Sequence, residues 1–98
     1  MLFRSEGVTF TDPASCSLSD GTRFGRDVVV EPGCHFRGDT LIGEGCRIGP
    51  GCLIEDSAIG DGVEILHSVV RQSRVANGCT VGPFAQLRGG AEIGRAHV

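Results

Sequence analysis

Five cysteines and three histidines carry the most versatile chemistry in this 98-residue chain, and their spacing limits what they can do. The cysteines are Cys16, Cys34, Cys46, Cys52 and Cys79; the histidines are His35, His67 and His97. A zinc site needs donors converging within about 2.0–2.3 Å of one ion, and there is no Cys-x-x-Cys pair to start one. Cys16, Cys34 and Cys52 are each 18 residues apart. If that interval closes one turn of the fold, the three form a vertical ladder. Neighbours in such a ladder are near enough for a disulfide, but the ladder cannot wrap a single ion. The histidines fall in three different phases of the repeat described next and are spread along the chain, so no three-histidine centre is expected. They read as surface or terminal residues, and the cysteines as small buried thiols.

The element that places these residues is a beat of six. Leu18, Phe24, Val30, Phe36, Ile42, Ile48, Ile54, Ile59, Ile65, Val70, Val75, Val81, Leu87 and Ile93 recur at that spacing, with one residue lost at 54–59, 65–70 and 70–75. With 40% of residues hydrophobic, fourteen consecutive hits have a chance probability on the order of 10⁻⁶ before the three slips are allowed for. Six matches neither the helical period of 3.6 nor a simple strand alternation. It marks an all-β solenoid, a hexapeptide-repeat parallel β-helix of about five coils, with three hexads to the coil. Solenoids bury each coil against the next, which relaxes the size limit on an ordinary small core.

With the apolar residue as position one, position five reads Thr22, Val28, Cys34, Thr40, Cys46, Cys52, Ala58, Val63, Val69, Arg74, Cys79, Ala85, Ala91 and His97. Residues four apart share a face of a strand, so positions one and five are both expected inside, large against small. Thirteen of the sixteen glycines occupy positions two and four, where a tight corner needs positive φ or close backbone approach. Residues 1–17 lie off the beat. They read as a lead-in segment or linker capping the first coil, with Thr11-Asp12-Pro13-Ala14 as a turn, and residues 18–98 as the β-helix. The chain stops at Val98 in mid-coil and in phase, which reads as a C-terminal truncation.

Composition excludes several classes. A net charge of −3 with scattered signs gives no case for nucleic acid or an anionic membrane. No apolar run approaches the roughly 18 residues of a membrane span, and the N-terminus lacks a secretory apolar stretch. A cytoplasmic protein is the expectation. All nine basic residues are Arg, the one Asn is Asn77, and there is no Tyr. Only Thr9 and Thr11 have Thr-x-Thr spacing, so there is no repeated ice-binding face.

One stretch is more specific than the beat: Val81-Gly82-Pro83-Phe84-Ala85-Gln86-Leu87-Arg88-Gly89-Gly90. It resembles a signature of the bifunctional bacterial UDP-N-acetylglucosamine pyrophosphorylase/glucosamine-1-phosphate N-acetyltransferase family. Asp12-Pro13-Ala14, the Gly43–Pro50 hexads and Ile54–Gly62 are similar to the first helix coils of that family. The resemblance implies a left-handed β-helix, the N-terminal part of an acetyltransferase domain, assembled as a homotrimer. It implies acetyl transfer from acetyl-CoA to glucosamine 1-phosphate, then uridylyl transfer with Mg²⁺, and a UDP-sugar product for cell-wall synthesis. By the same resemblance Arg88 binds sugar phosphate or UDP-sugar, which suits a guanidinium fork. The family has Pro after this Arg where this chain has Gly89, so a looser loop is expected.

The family's catalytic Lys, basic His, Tyr and Asn residues lie beyond its Arg. This chain has no Lys or Tyr, Asn77 precedes the run, and His97 follows Arg88 too soon. No catalytic residue, cofactor site or metal site is therefore assigned to the chain itself, and it is expected to be inactive alone. Gly21-Thr22-Arg23 is similar to the end of a nucleotidyltransferase phosphate signature, but it lacks the strand and Gly-rich loop such a site needs. The alternative function is a freestanding β-helix serving as an oligomerisation or interaction module. The helix tail of another sugar nucleotidyltransferase is disfavoured by the Gly-Pro-Phe run.

Overall fold

The computed structural model describes residues 7–94. Five successive turns each carry three short strands. The first holds β1 (Val8–Phe10), β2 (Ser17–Leu18) and β3 (Arg23–Phe24). The second holds β4 (Val28–Val30), β5 (His35–Arg37) and β6 (Leu41–Ile42). In the third are β7 (Arg47–Ile48), β8 (Leu53–Glu55) and β9 (Ala58–Ile59). The fourth has β10 (Glu64–Ile65), β11 (Val69–Arg71) and β12 (Arg74–Val75). The fifth closes with β13 (Thr80–Val81), β14 (Gln86–Leu87) and β15 (Glu92–Ile93). Every strand pairs in parallel with its equivalent one turn away, giving three five-stranded sheets: β1-β4-β7-β10-β13, β2-β5-β8-β11-β14 and β3-β6-β9-β12-β15. The architecture is the all-β parallel β-helix expected from the beat, with the left-handed sense that the resemblance implies.

Register shows why the beat is six. Val30, Ile48, Ile65 and Val81 stack on the first sheet. Leu18, Phe36, Ile54, Val70 and Leu87 stack on the second, and Phe24, Ile42, Ile59, Val75 and Ile93 on the third. All fourteen face the interior. Eleven are buried, while Leu18, Phe24 and Ile93, in the first and fifth turns, are half-covered. Phe10, in the segment ahead of the hexads, pairs with Val30 and stands at the head of the first column. Eight residues separate it from Leu18 because a 3₁₀ turn, Pro13–Ser15, lengthens that corner. Phe10, Phe24 and Phe36 then meet edge to face, with ring centroids 5.9 and 5.2 Å apart.

The second inward slot differs from the sequence reading at the three shortened hexads. Ala58 and Val69 are only half-buried and Arg74 is exposed; the buried residues there are Ser57, Ser68 and Ser73. The slot is fixed by counting two back from the next apolar residue, since residues two apart on a strand share a face. The missing residue is taken out of the corner, not the strand. In each case the Ser hydroxyl donates to the carbonyl two residues earlier, Glu55 at 2.8 Å, Leu66 at 2.6 Å and Arg71 at 2.7 Å. That satisfies a hydroxyl that would otherwise be buried at a penalty.

The residue just before the inward slot turns left-handed at most corners. Gly62 supplies it at φ 66°, with no atom within 4 Å of where a Cβ would stand. Three of the position-two glycines, Gly25, Gly43 and Gly60, serve a different need. A Cβ on Gly25, whose φ is negative, would lie 2.8 Å from the Glu44 nitrogen of the next turn. Side-chain acceptors knit the same corner: Glu44 N–H donates to Asp61 Oδ1 at 2.8 Å, and Asp61 N–H to Asn77 Oδ1 at 2.7 Å. The lone Asn is thereby part of the scaffold.

Candidate functional site

Positions one and five point inward, so chemistry must come from the outer face and the corners. The Val81–Gly90 run spans β13, one corner and β14. Val81 and Leu87 are core residues, and Ala85 packs at the core margin with its N–H donating to Ser68 Oγ at 3.1 Å. Gly82 turns at φ 96°, where a Cβ would collide with the Leu66 carbonyl. Pro83, Phe84, Gln86 and Arg88 remain in solvent. Most of the run is thus spent on turning and packing, and its outward large groups are an aromatic ring and a guanidinium.

Phe84 is 82% exposed at φ 63°, and its ring stacks on His67, one turn earlier, with centroids 5.7 Å apart at 23°. His67 is itself left-handed at φ 40°. Arg88 follows β14 on the other margin of the second sheet, with no ion pair to any described residue. The Gly89 and Gly90 that follow are both left-handed, with no atom of a described residue within 4 Å of where a Cβ on either would stand. Directly above it in the stack is Arg71, because Val70 registers with Leu87. Arg71 Nε donates to Glu55 Oε1 at 3.3 Å, the one ion pair among the described residues. Sequence reading passes over Arg71. The signal that finds it is shared phase: both arginines immediately follow an apolar position-one residue of the second sheet.

The histidines do not converge. His35 sits on the outer face of the second sheet, where Nδ1 is 2.7 Å from Ser17 Oγ; His67 is at a corner, and His97 lies outside the described residues. Cys34, Cys46, Cys52 and Cys79 are buried and Cys16 is half-buried, all as free thiols. Hydrogen bonding between the Cys34 and Cys52 thiols pushes Cys34 well above the usual thiol range and Cys52 below it, burial adds to the rise at Cys34, and burial raises Cys46. Protonated thiols suit core filling better than nucleophilic work. Gly21-Thr22-Arg23 forms an ordinary corner leading into β3.

Two concavities lie along the third sheet. The larger, about 600 Å³, is floored by Ala58 and walled by Leu41, Arg74 and Glu92; the smaller, about 320 Å³, extends to Asp39, Asp56 and Gln72. Arg88 lines neither. No helix among the described residues is long and apolar enough to cross a membrane.

The fold and repeat define the class: residues 21–56 match the bacterial transferase hexapeptide (six repeats) family. The backbone resembles serine acetyltransferase isoform 3 of Entamoeba histolytica, solved in complex with cysteine, with a TM-score of 0.65 and 16% identity over 85% of this chain and 36% of that one. It also resembles the acetyltransferase domain of PglB from Neisseria gonorrhoeae FA1090, solved with acetyl coenzyme A, with a TM-score of 0.54 and 14% identity over 89% of this chain and 54% of that one. At such identities the likeness is one of fold.

Within that class the chain is a homologue of the bifunctional protein GlmU, matching a hexapeptide-repeat portion of it. It is 59% identical over 88 residues to GlmU of Prochlorococcus marinus (strain MIT 9313) and 56% identical over 89 residues to GlmU of Synechococcus sp. (strain CC9605). These matches cover 90% and 91% of this chain but 20% of each relative, so the chain spans about a fifth of the length of the curated relatives it matches.

Proposed function

We propose that this chain is a scaffold segment of a bifunctional transferase that acetylates glucosamine 1-phosphate from acetyl-CoA and then transfers a uridylyl group, and that Arg88 contacts the sugar phosphate. The observation that carries the reading is Arg88 itself: an exposed guanidinium with no ion-pair partner among the described residues, on a rigid stack, in a chain more than half identical to GlmU. A guanidinium so placed can meet a phosphate with two parallel N–H donors.

Amine acetylation also needs a base for the departing proton and donors for the developing oxyanion. The described residues offer neither near Arg88. His67 stacks against Phe84, and the chain has no Lys or Tyr. Nor do the described residues gather three His, Cys, Asp or Glu that could hold the Mg²⁺ of uridylyl transfer. In this reading the segment binds and orients, and the bond-making groups come from outside it. Assembly as a homotrimer in the cytoplasm completes the proposal.

The test is a coupled assay for free CoA with the purified 98-residue chain, acetyl-CoA and glucosamine 1-phosphate. The expected rate equals the no-enzyme rate. Turnover above it, lost in Arg88→Ala, would show that a complete site exists here.

A further inference from the structure

We propose that Arg71 and Arg88 together form a two-guanidinium cleft for a phosphate monoester, with Glu55 as the anchor that aims Arg71. The inference rests on the reading of Arg88 given above and adds a second residue to the same site.

The parallel register carries it. Val69 pairs with Gln86 and Val70 with Leu87, so Arg71 and Arg88 occupy successive rungs at the same margin of the second sheet. Neighbouring strands are about 4.8 Å apart, which puts two cations side by side at a spacing a phosphate can bridge. Like charges directly opposite one another on a sheet are unfavourable unless something lies between them. The column above reads Arg37, Glu55, Arg71, so with Arg88 it holds three guanidiniums and one carboxylate in four rungs, and that carboxylate pairs with Arg71.

Glu55 engages Arg71 through Nε alone, at 3.3 Å. The two terminal nitrogens of Arg71 make no hydrogen bond to another described residue and remain available, while the Nε contact fixes the stem. Arg88 has no carboxylate of its own among the described residues, and beyond it Gly89 and Gly90 present no side chain to obstruct a ligand. Fixed and free guanidiniums on adjacent rungs can each offer a fork to different phosphate oxygens, and desolvation of both is limited because the margin is open to water.

The experiment titrates the ¹⁵N-labelled 98-residue chain with glucosamine 1-phosphate and, separately, with inorganic phosphate, following the arginine Nε–Hε signals. Both Arg71 and Arg88 should shift along one binding curve. Arg71→Gln and Arg88→Gln should each weaken binding at least fivefold, Arg71→Lys should fall between wild type and Arg71→Gln, and Arg74→Gln on the third sheet should leave affinity within twofold. Circular dichroism of each variant confirms that the stack is intact. If Arg88→Gln abolishes binding while Arg71→Gln stays within twofold, the cleft is overturned and the reading of Arg88 stands. If neither substitution matters, or if neither phosphate shifts either signal at 20-fold excess over about 1 mM protein, both readings fall. Equal affinity for the two phosphates supports a cleft that reads the phosphate alone; tighter binding of glucosamine 1-phosphate supports one that also meets the sugar.

Discussion

The regular corners and the three shortened ones solve the same problem with different residues. At most regular corners a glycine such as Gly62 takes the left-handed turn, Asp27 and Phe84 taking it at two others, and Val63, Cys46 or Thr40 fills such an inward slot. At the shortened corners Asp56, His67 and Gln72 turn left-handed at φ 48°, 40° and 48°, and a serine goes inside. The shortened form carries backbone strain that glycine avoids and offsets it with a side-chain bond to the carbonyl two residues back. A hexad can therefore lose a residue and keep its sheet register, provided the loss falls in the corner. A left-handed side chain also puts a functional group at a corner that glycine leaves bare: His67 at a shortened corner and Phe84 at a regular one stack ring on ring.

Cutting into the core should do the most damage, because both kinds of corner serve it. Ile48, fully buried in the third of five turns, should lose about 2–5 kcal/mol of stability on Ile48→Ala, as buried aliphatics do. Urea unfolding measures it, and a loss under about 0.5 kcal/mol would deny a continuous core.

Next in size is Ser68→Ala. The hydroxyl donates to the Leu66 carbonyl and accepts from the Ala85 N–H, so its removal orphans groups on two turns and should destabilise by about 1–3 kcal/mol. If Ser68→Ala proves neutral, the shortened corner does not depend on its serine and the contrast with the regular corner weakens.

The regular corners should be the ones sensitive to alkali, because they hold the buried thiols. Burial raises the folded pKa of Cys46, so the unfolded chain loses that proton first, whereas the opposed shifts of Cys34 and Cys52 offset one another. The Cys46 contribution is fully present below about pH 8.5, the ordinary thiol value, and is lost as pH rises above it. While Cys46 stays protonated in the folded chain, stability should fall by about 1.4 kcal/mol per pH unit in that range. A flat unfolding midpoint between about pH 8.5 and 10 in the Cys46→Ala and wild-type chains alike would count against buried, protonated thiols.

A subtler test exchanges the two solutions. Gln72→Gly should stabilise by about 0.5–1 kcal/mol by relieving a left-handed side chain, net of the extra freedom glycine gives the unfolded chain. Gly62→Ala should do the reverse by a similar amount. Matching signs in the thermal midpoints of the two variants would break the comparison.

Much of this is legible in the chain because the fold is nearly one-dimensional. A solenoid repeats one turn, so an apolar residue every six positions identifies the interior, the corners and the number of turns without knowledge of distant contacts. All fourteen position-one residues face inward for that reason, and the glycine phases mark real corners. The Val81–Gly90 run points to Arg88 and to the GlmU relatives. The shortened hexads escape such a reading because counting forward from position one assumes that every corner has the same length. The chain instead keeps its strand geometry and lets the corner absorb the deletion, so Ser57, Ser68 and Ser73 are found only by counting back.

Pairings across turns emerge only in the folded stack. Arg71 with Glu55, His67 with Phe84 and Asp61 with Asn77 lie 16 or 17 residues apart, and each depends on how many corners between them are short. A single misplaced deletion shifts every such partner by one residue and moves it to the other face of its strand. The kind of stack and the residues that build its interior follow from the order of residues alone, because burial is set locally by the beat. Which outward side chains stand next to one another depends on the register between turns, and that is fixed only when the strands hydrogen-bond and the core columns lock in place.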